Sequence, residues 1–142
     1  MPVPLIRLGV LLLALLLIVA LVQGGRLFVA RQRRLALASE PLRELPPGNR
    51  LRILSFGSAD CSQCHTLQEP TLRRLQALRG PEIEVVEIDA PAAPDLASRY
   101  HILTLPSTVL LNPAGEPLAV NYGFANLEKL QAQIDAALCT SR

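Results

Sequence analysis

The sequence contains no tryptophan, one methionine, two histidines and only three cysteines. A haem that needs two axial ligands, or a zinc ion that needs four, finds little to draw on. Acidic residues are absent from the first 34 positions, which hold five arginines (Arg7, Arg26, Arg31, Arg33, Arg34). The rest of the chain carries nine basic groups against all 12 acidic ones, a net charge of about −3. The overall charge of +2 therefore comes from one basic flank, and no nucleic-acid partner is implied. Internal repeats and low-complexity tracts are also missing, and 142 residues leave room for one domain of ordinary size.

Charge is missing altogether from residues 8–25, an 18-residue stretch that opens with an unbroken apolar run. As a helix it covers roughly 27 Å, close to the hydrocarbon thickness of a bilayer. Arg7 and Arg26 flank it, where long side chains snorkel to the interface. A cleaved secretory leader is the alternative. The best small-residue site, Ala36-Leu37-Ala38, lies too far beyond the apolar core, which favours an uncleaved single-pass anchor in contact with the lipid bilayer. The side of the soluble domain is contested. Four arginines follow the run and only Arg7 precedes it, which by the positive-inside rule favours the cytoplasm. An anchored dithiol protein is expected on the extracytoplasmic, oxidising side.

The expected organisation is an anchor and basic flank over residues 1–34, a linker over 35–50 ending at Pro46-Pro47-Gly48, and a domain over 51–142. Residues 51–56 read as a buried strand and 62–79 as a helix, with Leu67, Leu72, Leu75 and Leu78 near one face. A β-branched strand follows at 83–88, then a short helix at 93–100 and a strand at 107–111. The turn 112–115 returns the chain into a strand at 118–121. Asn126 caps a last helix with the stripe Leu127, Leu130, Ile134 and Leu138. The order β-α-β-α-β-β-α implies an α/β fold with a mixed four-stranded sheet, helices on both faces, parallel crossovers and a final antiparallel hairpin.

At the end of the first strand stands Cys61-Ser62-Gln63-Cys64-His65. Cys-x-x-Cys spells a dithiol, but with the following histidine it also spells a c-type haem attachment site. Haem would use His65 as one axial ligand and leave only His101 or Met1 for the second; Met1 belongs to the anchor, and this element order does not suit a small helical cytochrome. Structural zinc would need Cys139 and a histidine to converge, at a spacing that matches no zinc finger. A domain that binds clients without thiol turnover is a further alternative. His101 reads as a surface residue and Cys139 as a small half-buried apolar one.

A strand that ends just before Cys-x-x-Cys, with the motif opening a helix, resembles the thioredoxin superfamily. The run from Glu87 to Leu118, "EIDAPAAPDLASRYHILTLPSTVLLNPAGEPL", is similar to that family's passage from strand through short helix to a proline-initiated strand. In this resemblance Pro106 matches the cis-proline, Ser107 the usual Thr, and Gly123 the glycine before the last helix. The likeness spans residues 50–139 and lacks the opening strand and helix of a full-length thioredoxin. It implies a thioredoxin-like fold, a redox-active Cys61–Cys64 disulfide, and a substrate groove formed by Leu105 and Pro106.

A thiol at a helix N-terminus faces unpaired N–H groups and the positive end of the dipole, which favour the thiolate. Cys61, nearer the strand, is thus the expected nucleophile, and Cys64, one turn on, the resolving thiol. Four departures from the family bear on tuning. Asp60 replaces a tryptophan, and its carboxylate disfavours a neighbouring thiolate. Ser55 replaces a buried aspartate that takes the resolving thiol's proton. Gln63 replaces a proline between the cysteines, and the helix proline, Pro70, comes one residue late. His65 is the remaining tuning candidate. The implied activity is thiol–disulfide exchange with protein disulfide or dithiol clients, suited to a reductant better than to a strong oxidant. An upstream thiol donor or acceptor would exchange electrons with the pair, and no dissociable cofactor or metal is called for.

Overall fold

The computed structural model describes residues 3–44 and 48–140. Pro46 and Pro47, placed above at the end of the linker, and Met1, the weakest haem-ligand candidate, lie outside the described residues. The chain divides into two units, Met1–Arg34 and Leu35–Arg142. The first belongs to a helix, α1 (Val3–Leu37), that runs beyond the uncharged stretch and through the arginine flank. Its segment Ile6–Leu37 is long and apolar enough to cross a membrane, with a mean hydropathy of 2.6 over the most apolar window. The large apolar side chains from Leu8 to Val22 are all exposed, so none is used in a protein core.

In the second unit, strands β1 (Leu51–Gly57), β2 (Ile83–Asp89), β3 (Ser107–Leu111) and β4 (Pro117–Tyr122) form one mixed sheet in the order β2-β1-β3-β4. Helix α2 (Glu69–Arg79) links β1 to β2, α3 (Pro94–Arg99) links β2 to β3, and α4 (Leu127–Thr140) closes the chain. β1 and β2 are parallel, and β3 and β4 form the expected antiparallel hairpin. The crossover through α3 is not parallel, however: β3 runs antiparallel to β1. The connection through α3 returns the chain to the same end of the sheet, so that Ser107 at the start of β3 pairs with Phe56 near the end of β1, where β2 also finishes.

Strict alternation along the strands divides the core between two faces. Leu51, Ile53, Ile83 and Leu110 pack with Leu72 and Leu75 of α2 and Leu130 and Ile134 of α4. Leu54, Phe56, Val109, Leu111 and Val120 face the other way, onto Tyr100 at the end of α3 and onto Ala36 and Leu42. Asn126 caps α4 as its sequence position suggests, with its Oδ1 accepting the Lys129 N–H at 2.9 Å.

Three local features depart from expectation. Residues 35–44 do not hang as a spacer. Ala36 and Leu42 are buried in the core, Leu42 N–H donates to the Gly115 carbonyl at 2.9 Å, and Ser39 Oγ donates to the Arg99 carbonyl at 2.6 Å. Gly115, at φ 86°, is required there, since a Cβ would lie 2.6 Å from the Leu42 carbonyl oxygen. The expected continuous helix over 62–79 contains a π-helical turn at Cys64–Gln68, closed by the Glu69 N–H on the Cys64 carbonyl, before α2 begins. Finally, the buried face of this helix runs through Gln68, Leu72 and Leu75, while Leu67 and Leu78 are exposed.

Candidate active site at the end of the first strand

β1 delivers the chain into a tight loop, where the Cys61 N–H donates to the Ser58 carbonyl at 3.1 Å. Helical geometry then brings the Cys64 N–H to the Cys61 carbonyl at 3.1 Å and to the Cys61 Sγ at 3.2 Å. Cys61 and Cys64 are joined as a disulfide with their Cα atoms 5.3 Å apart. The pair is asymmetric: Cys61 is half-buried, whereas Cys64 is only 5% exposed and packs beside Gly57.

The antiparallel β3 brings its start to the same place. Phe56 pairs with Ser107, so the cis Leu105–Pro106 bond lies next to Gly57 and the dithiol loop. Pro106 is buried and Leu105 half-buried, and Ser107 Oγ donates to the Thr104 carbonyl at 2.7 Å. Leu105 also lines an open recess of about 720 Å³ with Pro91, Pro94, Ala97 and Leu103.

Below the dithiol a second recess, of about 340 Å³, is lined by Ser55, Gly57, Cys64, His65, Glu69 and two β2 acids, Glu87 and Asp89. Ser55 and Cys64 thus line one recess, and the register partner of Ser55 on β2 is Glu87. The structure thus sets carboxylates around a recess where Ser55 itself supplies only a hydroxyl. Asp60 and Gln63 are exposed beside the cysteines and line neither recess.

His65 is held on both ring nitrogens. Nδ1 lies 2.5 Å from Glu69 Oε1, and Nε2 lies 3.2 Å from the Ala59 carbonyl oxygen. The Glu69 hydrogen bond, and then the Ala59 carbonyl, raise its pKa above the ordinary 6.5. Sequence reading missed Glu69, Glu87, Asp89 and Gln68. The four-residue spacing of His65 and Glu69 was a usable signal, whereas Glu87 becomes visible only through strand register. Gln68 is buried and ties the π turn to α4's approach, with its Oε1 accepting the Ala125 N–H at 3.0 Å. Cys139 is exposed and free, not half-buried as expected. Among the described residues, no three His, Cys, Asp or Glu side chains gather as a metal site.

No family model and no curated protein matches this sequence. Solved structures do. The thioredoxin-2 of the malaria parasite's protein secretion machinery is similar at 24% identity and a TM-score of 0.61, over 69% of this chain and 93% of its own. Mitochondrial thioredoxin 3 from Saccharomyces cerevisiae, in its oxidised form, is similar at 26% identity and a TM-score of 0.57, over 66% and 85%. The germline-specific thioredoxin Deadhead from Drosophila melanogaster is similar at 26% and 0.56, over 63% and 83%. The second unit has a thioredoxin-like fold, and its dithiol lies in the Cys-x-x-Cys spacing of that superfamily's thiol–disulfide oxidoreductases.

Proposed function

We propose that this protein is a membrane-anchored thiol–disulfide oxidoreductase that reduces disulfides in protein clients, with Cys61 as nucleophile and Cys64 as resolving thiol. The observation that carries the reading is the asymmetry of the pair: a half-exposed Cys61 at a helix start, a buried Cys64 one turn on, and the start of β3 beside both.

In the reduced protein the Cys61 thiolate is favoured by the Cys64 N–H aimed at its sulfur and by the helix terminus. It attacks one sulfur of a client disulfide, forming a mixed disulfide and releasing the other sulfur as a thiolate that takes up a proton. The Cys64 thiol then loses its proton, attacks the Cys61 sulfur and expels the second client thiolate. Two electrons pass to the client, and the Cys61–Cys64 disulfide is left. An upstream thiol reductant returns the pair to the dithiol. Leu105 and Pro106 form the rim against which the client backbone is held.

Anchoring through residues 8–25 is supported by the continuity of α1 to Leu37 and by the burial of Ala36. Cleavage at Ala36-Leu37-Ala38 would remove a core side chain from the domain. Full-length protein is expected to remain in the membrane fraction after carbonate extraction, and a mature N-terminus between residues 22 and 39 would overturn the anchor. Cysteine labelling in intact cells reports the side of the domain. Insulin reduction driven by dithiothreitol tests the activity. A chain that leaves insulin oxidised while binding clients would be a client-binding module instead, and a Soret band in its absorption spectrum would establish the haem reading.

A further inference from the structure

The His65 ring stands between two groups that can only accept. Glu69, ionised, offers a carboxylate at 2.5 Å from Nδ1, and Ala59 offers a backbone carbonyl at 3.2 Å from Nε2. Neutral imidazole has one N–H and satisfies one of them; the doubly protonated ring satisfies both. The two anchors belong to different parts of the site. Ala59 lies in the loop that holds the Cys61 N–H on the Ser58 carbonyl, whereas Glu69 opens α2, beyond the π turn that begins with Cys64.

The charges facing the ring favour a second proton. Glu69 is its direct partner and is shared with Arg73, 3.5 Å away on the outer side of the helix. Asp60 follows Ala59 in the loop, and Glu87 and Asp89 reach the same recess from β2. Of these carboxylates Glu69 is the one in direct contact with the ring, and Glu87 and Asp89 line the same recess. The raised pKa of His65 agrees with this arrangement.

We propose that His65 is a positioning residue whose imidazolium clasps the Ala59 loop to α2 and places a positive charge beside the dithiol, so that the proton on His65 sets the reactivity of Cys61. This rests on the oxidoreductase reading above. A cation next to a cysteine enlarges its thiolate fraction. Loss of the ring proton removes that cation and releases one of the two hydrogen bonds, so the loop loosens as the charge disappears.

The test uses the full-length chain in detergent, reduced, with Cys64→Ser and Cys139→Ser so that Cys61 is the only thiol. Its reaction rate with a methanethiosulfonate reagent is followed from about pH 5.5, below the ordinary imidazole value, upwards. At the acid end His65→Gln is expected to slow Cys61 by about three- to tenfold. The ratio should fall towards one as pH rises through the His65 pKa, which the imidazole proton resonance tracks independently. Glu69→Gln should move that convergence to lower pH, and it provides the answer if His65→Gln does not fold. A rate ratio that is the same at every pH overturns the proposal, as does a His65 resonance that titrates identically with and without the Glu69 carboxylate. Insulin turnover by the chain with both active-site cysteines tests the oxidoreductase reading separately. Because the methanethiosulfonate reaction involves no client, either can fail while the other stands.

Discussion

Ser107 faces Phe56 across the antiparallel β1–β3 ladder. That one pairing sets Pro106 and Leu105, at the start of β3, beside the loop that leaves the end of β1 and carries Cys61. A parallel β3 would have put the same residues at the far edge of the sheet, about 20 Å away. The proposed groove and the dithiol are thus one site because of strand direction, and the predictions below follow from that site and from the helix beneath it.

The cysteines should divide the work according to their burial. Limiting alkylation of the reduced protein is expected to label Cys61 before Cys64, since Cys64 is 5% exposed. Cys64→Ser should accumulate mixed disulfides with client proteins on non-reducing gels, and Cys61→Ser should trap few or none. Labelling in the opposite order would reverse the assignment.

Asp60 is exposed beside Cys61 and lines neither recess, so its influence is that of a nearby negative charge. Asp60→Asn is expected to favour the Cys61 thiolate and shift the couple to more oxidising potentials, by up to about 30 mV, a tenfold change in the exchange constant. Equilibration with glutathione measures this, and the shift should shrink as salt is added. A move to more reducing potentials would show that Asp60 acts by some other route.

The helix beneath the site should respond according to its observed face. Leu75, fully buried between α2, α4 and the sheet, should cost about 2–5 kcal/mol when replaced by alanine. Leu67→Ala, at a position 45% exposed, should stay within about 0.5 kcal/mol. Gln68→Ala leaves the buried Ala125 N–H without its acceptor and should cost about 1–3 kcal/mol. Urea unfolding orders the three; equal losses at Leu67 and Leu75 would contradict the face.

Stability of the loop should fall as pH rises through the His65 pKa. The folded value lies above the ordinary 6.5, chiefly through the Glu69 hydrogen bond. The contribution is therefore complete below about 6.5 and lost on the alkaline side, as the folded form gives up its proton. Hydrogen exchange at the Cys61 N–H, corrected for its intrinsic pH dependence, should accelerate across that window in the native chain. In His65→Gln the corrected rate should be flat. A native chain that shows no acceleration would mean that the ring does not hold the loop.

Much of this protein is written locally. The uncharged stretch 8–25, the seven-element order, the Asn126 cap and the Cys61–Cys64 spacing each depend on neighbours within a few turns. Residue type and periodicity alone therefore placed them. His65 and Glu69 share that locality, and their i,i+4 spacing was open to the same reading. What tertiary structure decided is non-local. The direction of β3 is expressed in its pairing with β1, a ladder between residues more than 50 positions apart. The π turn reconciles a disulfide-tied Cys64 with a core face that must present Gln68, Leu72 and Leu75. Ala36 and Leu42, in a stretch that reads as spacer, are buried because Gly115 leaves the backbone of Leu42 room to approach. Glu87 meets Ser55 only through a register that pairs residues 32 positions apart. Such partners leave no periodic trace in either segment, because the free energy that selects them comes from burial and pairing once both are in place.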